Sequence, residues 1–445
     1  GFHRAHLATY IDELCAGGDT DWAIVGAGVL PGDARMADIL DGQDHLYTLI
    51  TRGAEADDVR VIGSIVDYLH VASDQQPLVD RIAHPDTQIV SLTVTEGGYP
   101  IDDATGEYRP DSPNAGPGSA FAAIAAGLDR RRSADSGPIT ILSCDNVLTN
   151  GVVTRAATLG EARSISGELA EWVDREVAFP NSMVDRITPA TTDADRTWLI
   201  EQHGLDDGWP VVTEPFRQWV VEDRFAADRL PLERLDVIVT DDVEPYELMK
   251  LRLLNAGHSC LAYLAALERI DTVDQALAHP ELRSFLLQFL TDEARPVVPP
   301  VDGVDLDDYV DSLMVRFSNP SIGDQISRLC LDGSAKFPKF LMPTVAAQLA
   351  SDGPVRRAAL ALAGWCEYLR IGGDPDGDIV LSADPALAEA VEHARRSADD
   401  PAAFLAFDLV FDPALGSGRF ADDFVAALGS LRAGGVRSAV DTVLT

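Results

Sequence analysis

Hydrophobic positions in the first half of the chain follow two alternating periods. Short apolar runs rich in β-branched residues are typical of buried strands, and runs with apolar residues on one helical face separate them. The strand-like runs are WAIVGAGVL, HLYTLITRG, VRVIGSIVDYLHV, QIVSLTVT, ITILSCDN, WPVVTEPFRQWVVED and LDVIVTDD, and the helix-like ones include PLVDRIAHP and SAFAAIAAGLDRRR. This alternation predicts a doubly wound, Rossmann-like α/β domain built on a parallel sheet with helices on both faces.

The pattern becomes helical after residue 241. Pro245 suits the first turn of a helix, and acidic residues precede it, where the positive end of the helix dipole favours them. The later segments PVRRAALALAGWCEYLRIGG, PALAEAVEHARRSA and FADDFVAALGSLRAGG keep a helical period. We therefore expect an α/β domain over residues 1–241 and a mainly α-helical domain over 242–445.

Charge and cysteine content narrow the function classes. The net charge of -37 arises from 35 basic and 72 acidic residues, and such a surface repels nucleic acid and anionic lipid. No uncharged apolar run is long enough to predict a membrane span. The five cysteines are scattered without a CxxC pair, which favours a cytoplasmic protein with reduced thiols and no structural zinc.

The first residues indicate a nucleotide site. Gly1 has the position of the last glycine in a Gly-rich turn, because helix-like HRAHLATYIDELCAGG follows it. Asp33 follows the next strand, where a carboxylate binds the ribose 2′-hydroxyl of NAD and repels the 2′-phosphate of NADP. Two observations leave alternatives open: Asp33 also suits a loop or helix cap, and Arg35 lies close by in the sequence.

Lys250 is one of only three lysines in the chain, and it lies in PYELMKLRLLNAGHSCLAYL. Glu247 precedes it by three residues on nearly the same helical face. At about 100° per residue, His258 is expected about 80° and Asn255 about 140° from Lys250. Residues on such an arc can still border one cleft. Alternatively, His258 is a core histidine and Asn255 forms a hydrogen bond with a neighbouring helix.

Tyr246 and Lys250 also form Y-x-x-x-K, the signature of short-chain dehydrogenases. In that class the tyrosine is the acid/base and the lysine lowers its pKa. Two features oppose this alternative. The helix begins directly before the tyrosine, and a long segment follows the lysine, whereas those proteins end soon after the motif.

Eight blocks, in order along the whole chain, resemble the mannitol dehydrogenase family of polyol-specific long-chain dehydrogenases, in particular its bacterial members. These blocks are GFHRAH, TEGGYPID, SCDN, NGVVTR, FPNSMVDRITP, DGWPVVTEPF, PYELMKLRLLNAGHS and DGSAKFPKF. The resemblance implies metal-independent, NAD-dependent oxidation of a secondary alcohol. Family members carry a leading strand and further glycines before the first block, so the resemblance implies that the chain, as given, is truncated at its N-terminus.

The resemblance also implies roles for individual residues. Lys250 matches the general base, Asn146 and Asn255 the pair that holds the substrate oxygen, and His258 a residue that positions substrate and lysine. The acidic residues on the family's proton path match Glu247 and Glu96, and the positions that contact polyol hydroxyls match Asp185, Arg328 and Lys336. The cofactor-binding positions match Gly1, Phe2, His3, Arg4, His6 and Asp33. Gly32 departs from the family, which often has a second acidic residue there.

The expected activity is oxidation of D-mannitol to D-fructose with NAD by a cytoplasmic monomer without a metal. Within the family, D-arabinitol, D-sorbitol and a hexuronate such as fructuronate remain alternatives, and Arg328 or Lys336 supplies the cation that a hexuronate needs. An alternative of another class is a dehydrogenase-like fold that binds sugar without turnover. A pure binder needs no titratable base, so Lys250 with Asn255 and His258 argues against it.

Overall fold

The computed structural model describes residues 1–19, 21–102, 105–227, 229–374 and 377–444. The chain divides into two compact units, Gly1–Glu244 and Pro245–Thr445. Within the described ranges, no helix has the length and apolar character needed to cross a membrane.

The N-terminal unit contains eleven strands within the described residues. They are β1 (Ile24–Gly28), β2 (Tyr47–Arg52), β3 (Asp57–Ile62), β4 (Ile65–His70), β5 (Ile89–Leu92), β6 (Ile139–Ser143), β7 (Val177–Ala178), β8 (Ser182–Asp185), β9 (Val211–Thr213), β10 (Gln218–Glu222) and β11 (Ile238–Thr240). The parallel pairings expected of a Rossmann-type domain are confirmed: β1 pairs with β4, β6 with β5 and β7, β2 with β9, and β10 with β11.

Two antiparallel pairings were not predicted. Strand β3 pairs antiparallel with β2, and β8 pairs antiparallel with β10. The sequence indicated β2 and β3 as strands but not their relative direction, because that direction depends on the connection between the two strands. Strand β8, with the sequence SMVD, has only four residues and is buried throughout, so it has no polar alternation to reveal it.

Helices cover the strands of this unit. They are α1 (Phe2–Ala5), α2 (Leu7–Ala16), α3 (Ala34–Asp41), α4 (Gln76–Ala83), α5 (Ala120–Ser133), α6 (Asn150–Ile165), α7 (Gly167–Glu176) and α8 (Asp193–His203). Two main clusters of buried residues form the core: one is built around β1, β2, β10 and α2, and the other around β6, α5, α6 and α7. The runs identified in the sequence supply most of the first cluster but fewer than half of the residues of the second, because α6 and α7 were not among them.

The C-terminal unit is mainly α-helical in its described residues, as predicted. Its α-helices are α9 (Glu244–Lys250, which begins one residue before the unit), α10 (Ala256–Leu267), α11 (Val273–Ala278), α12 (Pro280–Gln288), α13 (Leu306–Phe317), α14 (Ile326–Leu329), α15 (Gly333–Phe340), α16 (Met342–Ala350), α17 (Arg356–Gly372), α18 (Leu387–Arg396) and α19 (Arg419–Leu444). The core of the unit includes an aromatic cluster in which Trp365 contacts Phe337, Phe404 and Phe407.

Candidate active site

Glu96 and Asn146 follow the carboxyl ends of two neighbouring parallel strands. Leu92 of β5 pairs with Ser143 of β6, so both strands end at the same edge of the sheet. Glu96 begins a short 3-10 turn four residues after β5, and Asn146 lies three residues after β6. Both side chains are exposed. Ligands of open α/β sheets bind outside the carboxyl ends of the strands, so these two residues have the placement of site residues.

Asp185 is the last residue of β8 and is buried, with its backbone paired to Gln218. The start of the same strand is connected to β6 through Asn150, which is fully buried. The Asn150 amide nitrogen donates to the carbonyls of Ser143 and Ser182, and its oxygen accepts from the Ser182 N–H at 2.9 Å. This bridge fixes β8 beside the strand that leads to Asn146.

Asp33 lies over the carboxyl end of β1. Its carboxylate accepts the Leu30 N–H at 2.9 Å, and a Cβ added at Gly28 would meet the Asp33 Cβ at 2.5 Å and the Tyr68 hydroxyl at 2.7 Å. The pKa of Tyr68 rises to about 12 because of burial and the nearby Asp33 charge. The end of β1 must stay free of a side chain, and a carboxylate lies above it. This arrangement suits the binding of a dinucleotide ribose. Asp33 also caps the short turn Pro31–Asp33, so the cap interpretation is confirmed, and its contact with a ribose stays a prediction.

The predicted cofactor residues at the start of the chain have their side chains turned toward the protein. His3 contacts the Ser91 hydroxyl at 2.8 Å, and burial lowers its pKa to about 4. The guanidinium of Arg4 donates to the Trp209 carbonyl at 2.6 Å. The His6 ring is buried and contacts Phe2, Tyr10 and Trp219. These side chains anchor α1 and α2, which leaves the backbone of Gly1 and Phe2 as the part suited to approach a cofactor.

The helix that carries Lys250 is not a regular α-helix. Helix α9 ends at Lys250, a π-helical segment occupies Leu251–Asn255, and α10 begins at Ala256. The Ala256 N–H donates to the carbonyl of Leu251, five residues earlier. A π turn therefore separates Lys250 from Asn255, and such turns occur frequently at functional sites.

This π segment corrects the predicted arc. One extra residue in a turn displaces everything downstream by about 100° around the helix axis. His258, which lies beyond the segment, therefore moves from about 80° on one side of Lys250 to about 20° on the other, and Asn255, the last residue of the segment, also turns toward Lys250. The uniform helical period assumed from sequence was wrong here, and the π segment narrows the arc between Lys250 and His258.

Tertiary contacts hold the π segment in place. The Arg252 guanidinium donates to the carbonyl of Val297, and the segment packs against a second π-helical segment, Phe289–Ala294. Glu293 in that second segment is fully buried, and its carboxylate accepts the N–H groups of Arg357 and Ala358 at the start of α17. Two irregular helices therefore support each other inside the unit.

The residues on the Lys250 face are mostly buried. Lys250, Glu247 and His258 are each at most 8% exposed, and the His258 ring packs on Phe317 with 4.2 Å between ring centres. The side-chain oxygen of Asn255 is buried and has no hydrogen-bond partner within the described ranges. Most buried polar atoms in folded proteins have a hydrogen-bond partner, so this exception keeps Asn255 a candidate site residue.

The alternative in which Tyr246 acts as acid/base does not fit these contacts. The Tyr246 hydroxyl donates to the Asp302 carbonyl at 2.7 Å. The pKa of Tyr246 is raised by burial and by the charge of Asp302. A tyrosine used as a base needs a lowered pKa, so the Y-x-x-x-K spacing is a chance match.

Arg328 and Lys336 approach the same region of the C-terminal unit. Helices α14 and α15, which carry them, both pack against α10, and α15 also packs against the π segment. The Lys336 ammonium lies 3.4 Å from the carbonyl of Leu329, the residue after Arg328. Arg328 forms a two-pronged ion pair with buried Asp324, which holds its guanidinium while leaving the side chain half exposed.

The entire length of the chain can be compared with known proteins. Residues 1–234 match the family model for the mannitol dehydrogenase Rossmann domain, and residues 242–431 match the mannitol dehydrogenase C-terminal domain. The chain belongs to the mannitol dehydrogenase family. Mannitol 2-dehydrogenase from Aspergillus fumigatus is 42% identical over 451 residues, which cover 98% of this chain and 90% of that protein.

Solved structures of family members agree with this fold. Mannitol 2-dehydrogenase from Pseudomonas fluorescens, in a ternary complex with NAD and D-mannitol, is 42% identical, has a TM-score of 0.90, and is matched over 100% of this chain and 92% of its own. A substrate-free D-sorbitol dehydrogenase is 34% identical with a TM-score of 0.88, covering 99% of this chain and 93% of that chain.

Two features of the site were not predicted from the sequence. Asp145, between Cys144 and Asn146, is buried and bonds the loop that carries Glu96, although only Asn146 was a predicted site residue. The π segment Leu251–Asn255 has no signal in the amino-acid pattern. Cys144 itself is 2% exposed, and burial raises the pKa of its thiol, which makes it unreactive. Among the described residues, no group of three or more His, Cys, Asp or Glu is placed to hold a metal ion.

Proposed function

We propose that this protein oxidises D-mannitol to D-fructose with NAD. The observation that carries the proposal is similarity over the whole chain to a solved mannitol 2-dehydrogenase that holds NAD and D-mannitol. The placement of Asp33 over Gly28 at the end of β1 supports a dinucleotide with a free ribose 2′-hydroxyl. The chemistry that bound NAD supplies is acceptance of a hydride from the alcohol carbon.

In this proposal Lys250 removes the proton of the reacting hydroxyl. A base with a pKa near the working pH accelerates such a step by about 10²–10⁴-fold. Lysine suits the role because burial lowers the pKa of an ammonium group, whereas a guanidinium stays protonated. The 8% exposure of Lys250 supports this assignment, and Glu247, one turn earlier in α9, offers a route for the proton toward water.

Asn255 and Asn146 are assigned to the substrate oxygen. Their amides donate hydrogen bonds to the alkoxide that develops as the hydride leaves, and one such donor contributes about 3–4 kcal/mol in comparable sites. His258 positions the substrate and Lys250 from the next helical segment, α10. Glu96 completes the proton path from its exposed turn after β5.

The remaining polyol hydroxyls are assigned to Asp185, Arg328 and Lys336. Charged side chains make strong hydrogen bonds to hydroxyl groups, and the ion pair with Asp324 keeps the Arg328 guanidinium in a fixed orientation. D-Sorbitol is the second candidate substrate, favoured by the structural similarity to a D-sorbitol dehydrogenase. We further assign the protein to the cytoplasm as a monomer.

The substrate assignment is tested with purified protein, NAD and a panel of D-mannitol, D-sorbitol, D-arabinitol and fructuronate. Formation of NADH with the three polyols, or its consumption with fructuronate, is followed by absorbance. We expect the highest kcat/KM with D-mannitol. A higher value for another compound reassigns the substrate, and binding without turnover of any compound contradicts an enzymatic function.

The cofactor assignment is tested by Asp33→Ala. Removing the carboxylate deletes the hydrogen bond to the ribose 2′-hydroxyl and the repulsion of a 2′-phosphate. We expect the kcat/KM preference for NAD over NADP to fall by about 10- to 100-fold, the change that one charge-assisted hydrogen bond produces. Asp38→Ala, an exposed carboxylate later in α3, is the matched control. An unchanged preference in Asp33→Ala excludes this residue from the ribose site.

A further inference from the structure

Asp145 is a buried carboxylate that the proposed mechanism does not use. It is 7% exposed and follows β6 by two residues. Its two oxygens accept three hydrogen bonds from the segment after β5: from the Thr95 N–H at 2.8 Å, the Val94 N–H at 3.0 Å and the Tyr99 hydroxyl at 2.7 Å. Burial raises the pKa of Asp145, and these three donors act in the opposite direction by stabilising its charged form.

Thr95 has a backbone conformation that its side chain disfavours. Its φ of 66° and ψ of 165° lie in a region that is populated almost entirely by glycine. A β-branched residue remains there only where its surroundings force it. Asp145 supplies that constraint, because its Oδ1 binds the Thr95 N–H and its Oδ2 binds the preceding N–H.

A predicted site residue directly follows each of the two residues in this contact. Glu96 follows Thr95 directly, and Asn146 follows Asp145 directly. The backbone of Asp145 is also fixed, since its carbonyl accepts from the buried Asn150 amide at 3.2 Å and its N–H donates to the Ser143 hydroxyl. The carboxylate therefore joins the two loops from which Glu96 and Asn146 project.

We propose that Asp145 is a positioning residue for alcohol oxidation, which holds Thr95 in its strained conformation and so sets the directions of Glu96 and Asn146. The inference rests on the proposed function. In this inference, Asp145 does not contact substrate or cofactor. Its effect on catalysis therefore depends on the conformation of Thr95.

The test combines Asp145→Asn with Thr95→Gly. The amide in Asp145→Asn keeps the size of the side chain but turns one acceptor into a donor, so one backbone N–H loses its partner. We expect kcat to fall about 10- to 100-fold, as for loss of one hydrogen bond to a charged group, with the KM for NAD unchanged. Glycine adopts the Thr95 conformation without strain, so the double variant should recover most of the lost kcat.

Tyr99→Phe is the matched control, because it removes the third hydrogen bond to Asp145 and leaves both backbone bonds in place. We expect it to lower the melting temperature and to retain kcat. Hydrogen exchange of the Val94 and Thr95 amides gives a readout that needs no activity. These amides should exchange faster in Asp145→Asn and remain protected in Tyr99→Phe.

The outcomes separate the two proposals. If the wild-type protein oxidises no polyol, the proposed function is overturned together with the catalytic role of Asp145. If the wild type is active, the positioning role is overturned by any one of three results: full kcat in Asp145→Asn, unchanged amide protection in that variant, or an equal loss of kcat with and without Thr95→Gly.

Discussion

Lys250→Ala is expected to lower kcat for D-mannitol oxidation by about 10²–10⁴-fold, the contribution of a positioned general base. The fold should survive, because the side chain ends at the site face and alanine favours the helix that α9 forms. The KM for NAD should change little. Steady-state kinetics with NAD and D-mannitol, together with circular dichroism of the variant, checks both statements.

Two further variants make this test specific. Lys339→Ala removes another of the three lysines from the last turn of α15, and we expect it to keep kcat close to the wild-type value. Tyr246→Phe removes the hydroxyl that bonds the Asp302 carbonyl and should affect stability more than kcat. Near-wild-type turnover in Lys250→Ala, or a collapse of turnover in Tyr246→Phe alone, contradicts the assignment of the base.

Asn255→Ala is expected to reduce kcat by about 10²–10³-fold, the loss measured when one donor to a developing oxyanion is removed from comparable sites. Because the donor acts on charge that appears in the transition state, kcat and kcat/KM should fall together. The helix should remain intact, since Asn255 is only partly buried and alanine favours helical backbone.

The companion variant Asn146→Ala tests the second donor. If the two amides bind the same oxygen, the double variant should lose less than the product of the two single losses, since groups that act as a unit are not additive. A rise in KM with kcat retained in Asn255→Ala shows instead that the amide binds the ground state and transition state equally, which contradicts its proposed role.

The class of fold and most of the candidate residues could be predicted from the amino-acid sequence. ITILSCDN is recognisable as a buried strand because it contains a short continuous apolar run, and SAFAAIAAGLDRRR as a helix because it is longer and rich in alanine, a strong helix former. Family resemblance then brought Lys250, Asn255 and Asn146 forward. Neither source contains the directions in which these side chains project.

Three local features near these residues depend on contacts between segments that are distant in sequence. Leu251–Asn255 forms a π turn held by contacts with a later part of the chain: Arg252 binds the carbonyl of Val297, 45 residues later, and the turn packs against Phe289–Ala294. The antiparallel β8 exists because β10 pairs with it, and Thr95 keeps its strained conformation because Asp145, fifty residues later, binds its N–H. The local conformational preferences of the residues do not favour these features, so contacts between distant segments stabilise them.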